Sequence, residues 1–172
     1  MKTAFIGHRR IYAKDIDKRL KIAIENEIKK GCKSFIMGTH GEFDRFALSV
    51  CKRLQKNCKE LEIVVAITSL TYLQNNRDDI YNNVDTIMYD IEEAHFKRRI
   101  ILSNRRMIDE CDTLICYVNT SNYRSGAKRA LRHAERQGLK IINLYREEDE
   151  PFYGMTKEQI SEYWQSYSEK LQ

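Results

Sequence analysis

Glu62-Ile63-Val64-Val65-Ala66-Ile67 is the stretch on which the fold turns. After the leading glutamate it is continuously apolar and mostly β-branched, with no polar alternation, so the strand it predicts is covered on both faces. Such a strand belongs to a parallel sheet with helices on either side, because each parallel crossover needs a dozen or more residues. Upstream, Thr3-Ala4-Phe5-Ile6-Gly7 and Ser34-Phe35-Ile36-Met37 read as two more buried strands, each meeting a glycine, Gly7 and Gly38. Between them Ile16, Leu20, Ala23, Ile24 and Ile28 fall at helical spacing over about 15–30, and Gly31 suits the C-terminal cap. Phe43, Phe46, Ala47, Val50, Cys51 and Leu54 form a second helical stripe. Downstream come a weak strand at 85–89, an arginine-rich helix over about 96–111, a strong strand at 113–118, a helix at 125–137 closed by Gly138, and a strand at 140–144. This order predicts an α/β fold: a three-layer, Rossmann-like, doubly wound and mostly parallel sheet.

The chain has 172 residues, with 30 Lys+Arg against 25 Asp+Glu, for a net charge of 30 − 25 = +5. With no internal repeat and no composition break, residues 1–146 read as one domain, and 147–172 as a C-terminal helical appendage packed on it. Thr156-Lys157-Glu158-Gln159 has capping-box spacing ahead of the last helix, whose Trp164 is expected to pack across the sheet. No run approaches the roughly 20 apolar residues of a membrane span. The first residues reach charge too soon for a signal peptide, so a cytoplasmic protein with no membrane partner is expected. The cysteines, Cys32, Cys51, Cys58, Cys111 and Cys116, are odd in number and form no Cys-x-x-Cys pair, which points to reduced thiols, with Cys58 the exposed one. His8, His40, His95 and His133 share no metal-ligand spacing, so neither a metal nor a cofactor is expected. Basic residues are interleaved with acidic ones, which disfavours a nucleic-acid partner.

The chemistry is expected where glycines follow strand ends, because ligands of open parallel sheets bind there. Gly7, Gly38, Gly41 and Gly126 all do so, either to permit a tight turn or to let a ligand approach the backbone. Three clusters surround them. In Gly7-His8-Arg9-Arg10, His8 and Arg9 could clamp a phosphate, whereas Arg10 reads as solvated charge. In Gly38-Thr39-His40-Gly41-Glu42-Phe43-Asp44, Thr39 suits phosphate or ribose and Glu42 or Asp44 could accept from sugar hydroxyls. Asp44 reads equally as a first-turn helix carboxylate. In the 119–127 segment, Asn119 and the run Ser125-Gly126-Ala127 suit an anion nest, and Tyr117 or Tyr123 could stack on a base. On the arginine-rich helix, Arg98 or Arg99 would stand at the ligand end. The polar stretch Thr68–Asn83 reads as a long loop, of the kind that in compact domains is usually functional or disordered. Neither a P-loop nor the Gly-x-Gly-x-x-Gly fingerprint is present.

Phe5-Ile6-Gly7-His8-Arg9 resembles the Gly-His-Arg opening of small bacterial proteins of the SLOG superfamily. These are Rossmann-like domains related to the LOG (lysine-decarboxylase-like), DprA/Smf and YpsA-like groups. Gly38-Thr39-His40-Gly41-Glu42-Phe43-Asp44 is similar to that group's second-strand element. The run Asn104-Arg105-Arg106-Met107-Ile108-Asp109-Glu110-Cys111-Asp112 resembles its segment before the fifth strand, and Ser125-Gly126-Ala127 stands where the family has Gly-Gly-Thr. The resemblance covers about residues 3–146. It implies binding of a nucleotide or nucleotide-derived small molecule by a sensor or sequestering protein, and it associates the chain with bacterial nucleotide signalling and phage conflict. It also implies pairing into a dimer or tetramer, with the arginine-rich helix and the aromatic last helix as candidate surfaces. Phe43 and Arg105 join the expected ligand-binding residues on this ground. The LOG branch cleaves an N-glycosidic bond with a glutamate whose place here is taken by Ala130. Such hydrolysis would need a substitute carboxylate, Asp44 or Glu42.

Overall fold

A computed structural model describes residues 1–69, 84–89, 91, 93–121 and 125–169. Six strands form one sheet: β1 (Lys2–Gly7), β2 (Ser34–Met37), β3 (Glu62–Ile67), β4 (Asp85–Met88), β5 (Thr113–Tyr117) and β6 (Lys140–Asn143). Every pairing is parallel and the order is β4-β3-β2-β1-β5-β6. The helices are α1 (Ile16–Lys29), α2 (Glu42–Gln55), α3 (Phe96–Asp109), α4 (Gly126–Gln137) and α5 (Lys157–Glu169). The fold is thus the doubly wound, three-layer Rossmann-like architecture.

The pleat sorts the core into two halves. Phe5, Phe35, Met37, Val65, Ile115 and Tyr117 face α1 and α2, where they meet Leu20, Ile24, Phe43, Ala47 and Cys51. Ala4, Ile6, Ile36, Ala66, Leu114 and Cys116 face the other way, onto Met107, Ile108, Ala130, Leu131 and Ala134 of α3 and α4. Each fully buried large side chain contributes about 1.5–3 kcal/mol. Gly31 (φ 92°) and Gly138 (φ 74°) adopt the left-handed conformation that ends α1 and α4. The five thiols are unpaired, with Cys58 half-buried rather than exposed because it packs against the α1/α2 half of the core.

Two buried ionic groups tie distant parts together. Arg19 makes a two-pronged pair with Asp149 (2.7 and 2.8 Å), reaches Asp15 (2.7 Å) and donates to the Leu144 carbonyl (2.9 Å), fastening α1 to the segment after β6. Fully buried Glu27 accepts from Lys30 (2.9 Å), Lys140 (2.6 Å) and the Thr113 hydroxyl (3.2 Å). Beyond the short 3-10 turn Glu147–Asp149 the chain leaves the sheet. The expected capping box forms: Thr156 N–H donates to Gln159 Oε1 (2.9 Å) and Gln159 N–H to Thr156 Oγ1 (3.3 Å). Trp164 does not pack across the sheet as expected. It is 51 % exposed and lies against Phe152 and Tyr163, aromatic neighbours from the same C-terminal segment. Among the described residues no helix is long and apolar enough to cross a membrane, and no group of three or more His, Cys, Asp or Glu could hold a metal ion.

Candidate functional site

Strand order reverses between β1 and β5: the chain winds outward through β2, β3 and β4, then returns to place β5 on the other side of β1. Crevices at such switch points, outside the carboxyl ends of the strands, are where open α/β sheets hold ligands. A cavity of about 500 Å³ lies there. Gly7, His8 and Arg9 from the end of β1, Gly38, His40, Gly41 and Asp44 from the β2–α2 turn, and Ser125 and Gly126 from the start of α4 all line it. Three clusters up to about 120 residues apart in sequence are thereby brought into one chamber, a size typical of small-molecule sites.

Its centre is organised by His8. The Asn119 backbone N–H donates to His8 Nε2 at 2.8 Å, and His8 Nδ1 stands 3.2 Å from Ser125 Oγ. A backbone amide can only donate, so Nε2 must be the unprotonated nitrogen and Nδ1 carries the hydrogen. His8 Nδ1–H therefore donates to Ser125 Oγ, which also caps α4 by accepting from Lys128 N–H at 3.4 Å. With both lone pairs engaged, the Ser125 hydroxyl proton is left to donate to a ligand. Burial pulls the His8 pKa below the ordinary imidazole value, against a smaller opposing effect of Glu150, which keeps the ring neutral. His40 Nε2 lies 3.0 Å from Thr68 Oγ1, and burial, then the charge of Arg9, lowers its pKa as well.

Asp44 is the first-turn helix carboxylate expected from the sequence, and it also lines the cavity. Its Oδ2 accepts from the backbone N–H groups of His40 (3.0 Å) and Gly41 (2.9 Å), closing the first turn of α2. No described residue donates a hydrogen bond to Oδ1. Burial pushes this carboxyl up to about 6, outweighing the two amides that favour its charged form. Glu42 is committed elsewhere, accepting from Ile11 N–H at 2.8 Å. Arg9 is exposed, and its guanidinium forms no hydrogen bond or ion pair with any described residue.

Several expected residues fall outside the chamber. Phe43 is fully buried beneath it, stacked on Tyr117 at 6.1 Å, so it is a core residue and not a ligand contact. Tyr117, 2 % exposed, is closed in by Phe43 and by Tyr145 at 5.5 Å and cannot stack on a base. Asn119 turns away: its Nδ2 donates to Glu150 (2.8 Å) and its Oδ1 accepts from Ser121 N–H (2.8 Å). Thr39 lines an adjoining recess, and exposed Arg105 a small neighbouring one with Arg129. Arg98 and Arg99 do not line the cavity, and Arg99 Nε donates to the Ala94 carbonyl at 2.7 Å. What α3 presents instead is Ile100 and Asn104, one turn apart on the stripe that continues into buried Met107 and Ile108. The signal for them was Asn104 interrupting an otherwise apolar stripe. Tyr123 and the loop from 70 to 83 lie outside the described residues. Two of the four strand-end glycines have packing reasons: a Cβ on Gly7 would meet Phe43 Cγ at 2.3 Å, and one on Gly41 would meet Arg9 Cα and His8 O at 3.3 Å. Gly126 faces open space. Neither a protein-family model nor a curated protein gives a significant match to the sequence.

Proposed function

We propose that the chain binds a nucleotide or nucleotide-derived small molecule in the switch-point cavity, as a sensor or sequestering protein of the SLOG kind. The observation that carries this reading is the convergence of complementary polar groups on one chamber. Arg9 offers an unpaired guanidinium, Ser125 a free hydroxyl proton, and Gly126 an open approach to the first amides of α4, together a phosphate-binding set. Asp44 Oδ1 offers an acceptor for ribose hydroxyls, while Ile6, Ile100 and Ala127 supply apolar wall for a base. Ala130, buried against the sheet, puts no carboxylate at the position where LOG chemistry needs one, which favours binding without turnover. The test is native mass spectrometry of the full chain with linear, cyclic and NAD-derived nucleotides, with released base monitored in the same mixtures. A retained, unaltered nucleotide is the expected result. Absence of any nucleotide adduct across the panel overturns the reading.

A second reading, hydrolysis or transfer at the N-glycosidic bond of a nucleotide, is favoured by one observation. Asp44 is a cavity carboxyl raised to about 6, a value suited to proton transfer near neutral pH. Replacement by Asn distinguishes the two. An enzyme would lose turnover while holding affinity within about tenfold, whereas a binder has only affinity to change. Pairing of the chain into a dimer or tetramer through α3 or α5 belongs to the same proposal, supported by the exposure of Tyr163 and Trp164 on α5. Light scattering that gives a monomer mass at all concentrations overturns that part.

A further inference from the structure

The loop after β1 is fastened to the start of α2 at two points. Glu42 N–H donates to the Arg9 carbonyl (3.0 Å), and Ile11 N–H donates to Glu42 Oε2 (2.8 Å). This double attachment holds Arg9 and Arg10 against the first turns of α2, and Gly41 permits it, since any side chain there would press on the Arg9 backbone. A second recess of about 260 Å³ results, opening beside the main cavity and sharing Arg9, His40 and Gly41 with it. Arg10 and Arg45 complete its rim.

The three guanidiniums around this recess have no ion-pair partner and no hydrogen-bond acceptor among the described residues. Glu42 is the one carboxylate lining it, and one of its oxygens is already taken by the Ile11 amide. Three positive charges thus face one carboxylate. The chain pairs other arginines: Arg19 with Asp15 and Asp149, Arg53 with Asp17. Arg45 also stands near the N-terminal end of α2, where the helix dipole opposes a cation. Local electrostatic rules are broken together at one place on the cavity edge, as happens where a fold keeps room for an anion. Arginine is the residue suited to it, since its planar fork grips phosphate by two parallel bonds.

We infer that this recess is a second phosphate subsite, and that the ligand of the main cavity is a nucleotide carrying two or more phosphate groups. The inference rests on the nucleotide reading above and narrows it. Phosphate held by Arg9 at the junction of the two spaces would leave the nucleoside in the main cavity and direct the next phosphate toward Arg10 and Arg45.

The test is calorimetric titration of the full chain at fixed salt with AMP and ADP, GMP and GDP, inorganic pyrophosphate, and a short oligothymidylate. One added charge-assisted contact predicts that a diphosphate binds about tenfold or more tighter than its monophosphate. Arg45→Gln and Arg10→Gln should each collapse that ratio toward one, while Arg136→Gln, exposed in the last turn of α4, should leave it intact. Equal affinity for mono- and diphosphates overturns the inference and leaves the nucleotide reading standing. So does a ratio that survives both substitutions. Pyrophosphate binding weakened by Arg45→Gln, with no nucleotide bound, supports the subsite and overturns the nucleotide reading. No binding of pyrophosphate or of any nucleotide overturns both. An oligothymidylate that displaces the diphosphate assigns the arginines to nucleic acid and overturns the inference.

Discussion

Replacing Gly7 by alanine tests whether this glycine serves the core or a ligand. The new methyl carbon would stand 2.3 Å from Phe43 Cγ, 2.4 Å from its Cβ and 2.5 Å from its Cδ1. Carbon atoms in contact keep about 3.5–4.0 Å, so the overlap exceeds about 1 Å. Phe43 cannot swing aside, being fully buried between Phe5 (6.4 Å) and Tyr117 (6.1 Å), and the nearest atoms include its Cβ, which moves only with the α2 backbone. Overpacking costs about 1–3 kcal/mol, and a clash this close to the backbone belongs at the upper end, about 3 kcal/mol. With a urea m-value of about 1–3 kcal/mol/M, the unfolding midpoint should fall by about 1–3 M. Gly126→Ala is the matched control: its Cβ meets nothing within 4 Å, and it should be neutral or stabilising by up to about 1 kcal/mol. Repeating Gly7→Ala in a Phe43→Ala background, which removes Cγ and Cδ1 from the clash and leaves only Cβ, should reduce its cost by at least about 1 kcal/mol, since the two positions are in contact. A loss under about 0.5 kcal/mol, or a midpoint shift that Phe43→Ala leaves unchanged, would refute the packing argument and return Gly7 to a role in ligand approach.

The raised Asp44 carboxyl makes the folded state bind a proton more readily than the unfolded one, so its ionisation lowers stability as pH rises from about 4 to about 6. Asp44→Asn should keep the acceptor for His40 and Gly41 and flatten that slope, as read from urea midpoints at pH 4.5 and 7; an unchanged slope would clear Asp44 of the effect. His8 behaves in the opposite sense: its folded pKa is lowered by burial, so stability is lost as pH falls below about 6.5, the unfolded value. Long-range proton–nitrogen spectra should show Nε2 unprotonated at neutral pH, and a protonated Nε2 would contradict the Asn119 hydrogen bond. Arg19→Met should cost about 3–5 kcal/mol by stranding Asp149, whose side chain is 4 % exposed; burial alone would raise that carboxyl, but Arg19 holds it low. A thiol reagent should label Cys58 alone quickly, because Cys111 and Cys116 are pushed up to about 12 by burial, and all five cysteines only after unfolding.

Where the physics is local, the sequence was enough. Ser34–Met37 and Glu62–Ile67 form strands with the expected bounds because continuous apolar runs leave no alternative face to choose. Gly31, Gly138 and the Thr156–Gln159 box end or start helices through contacts within a few residues. The site required more. Gly7, His8, Arg9, Gly38, Gly41, Asp44, Ser125 and Gly126 come together because a strand's end is a place the topology defines. Phe43 misled because a phenylalanine at a helix start faces ligand or core according to how α2 lies on β1, which no local pattern encodes. Tyr117 was within reach of the pleat: it shares a face with Ile115 and Phe5, opposite Cys116. Asn119 was lost to a hydrogen bond with its own chain two residues on, the ordinary habit of asparagine at a strand end.

The register of β1 beside β5 has a temporal consequence. Thr3 pairs with Thr113 and Gly7 with Tyr117, so the two walls of the chamber meet only when about 110 intervening residues have been gathered in. Closing so long a loop is entropically slow, and contacts of this separation form late on a folding route. A chain with β1 to β4 in place would have helices and half a core, but His8 would lack both its Asn119 donor and Ser125. The switch-point chamber therefore depends on the longest-range strand pairing in the sheet, and its two walls are complete only once β5 has docked on β1.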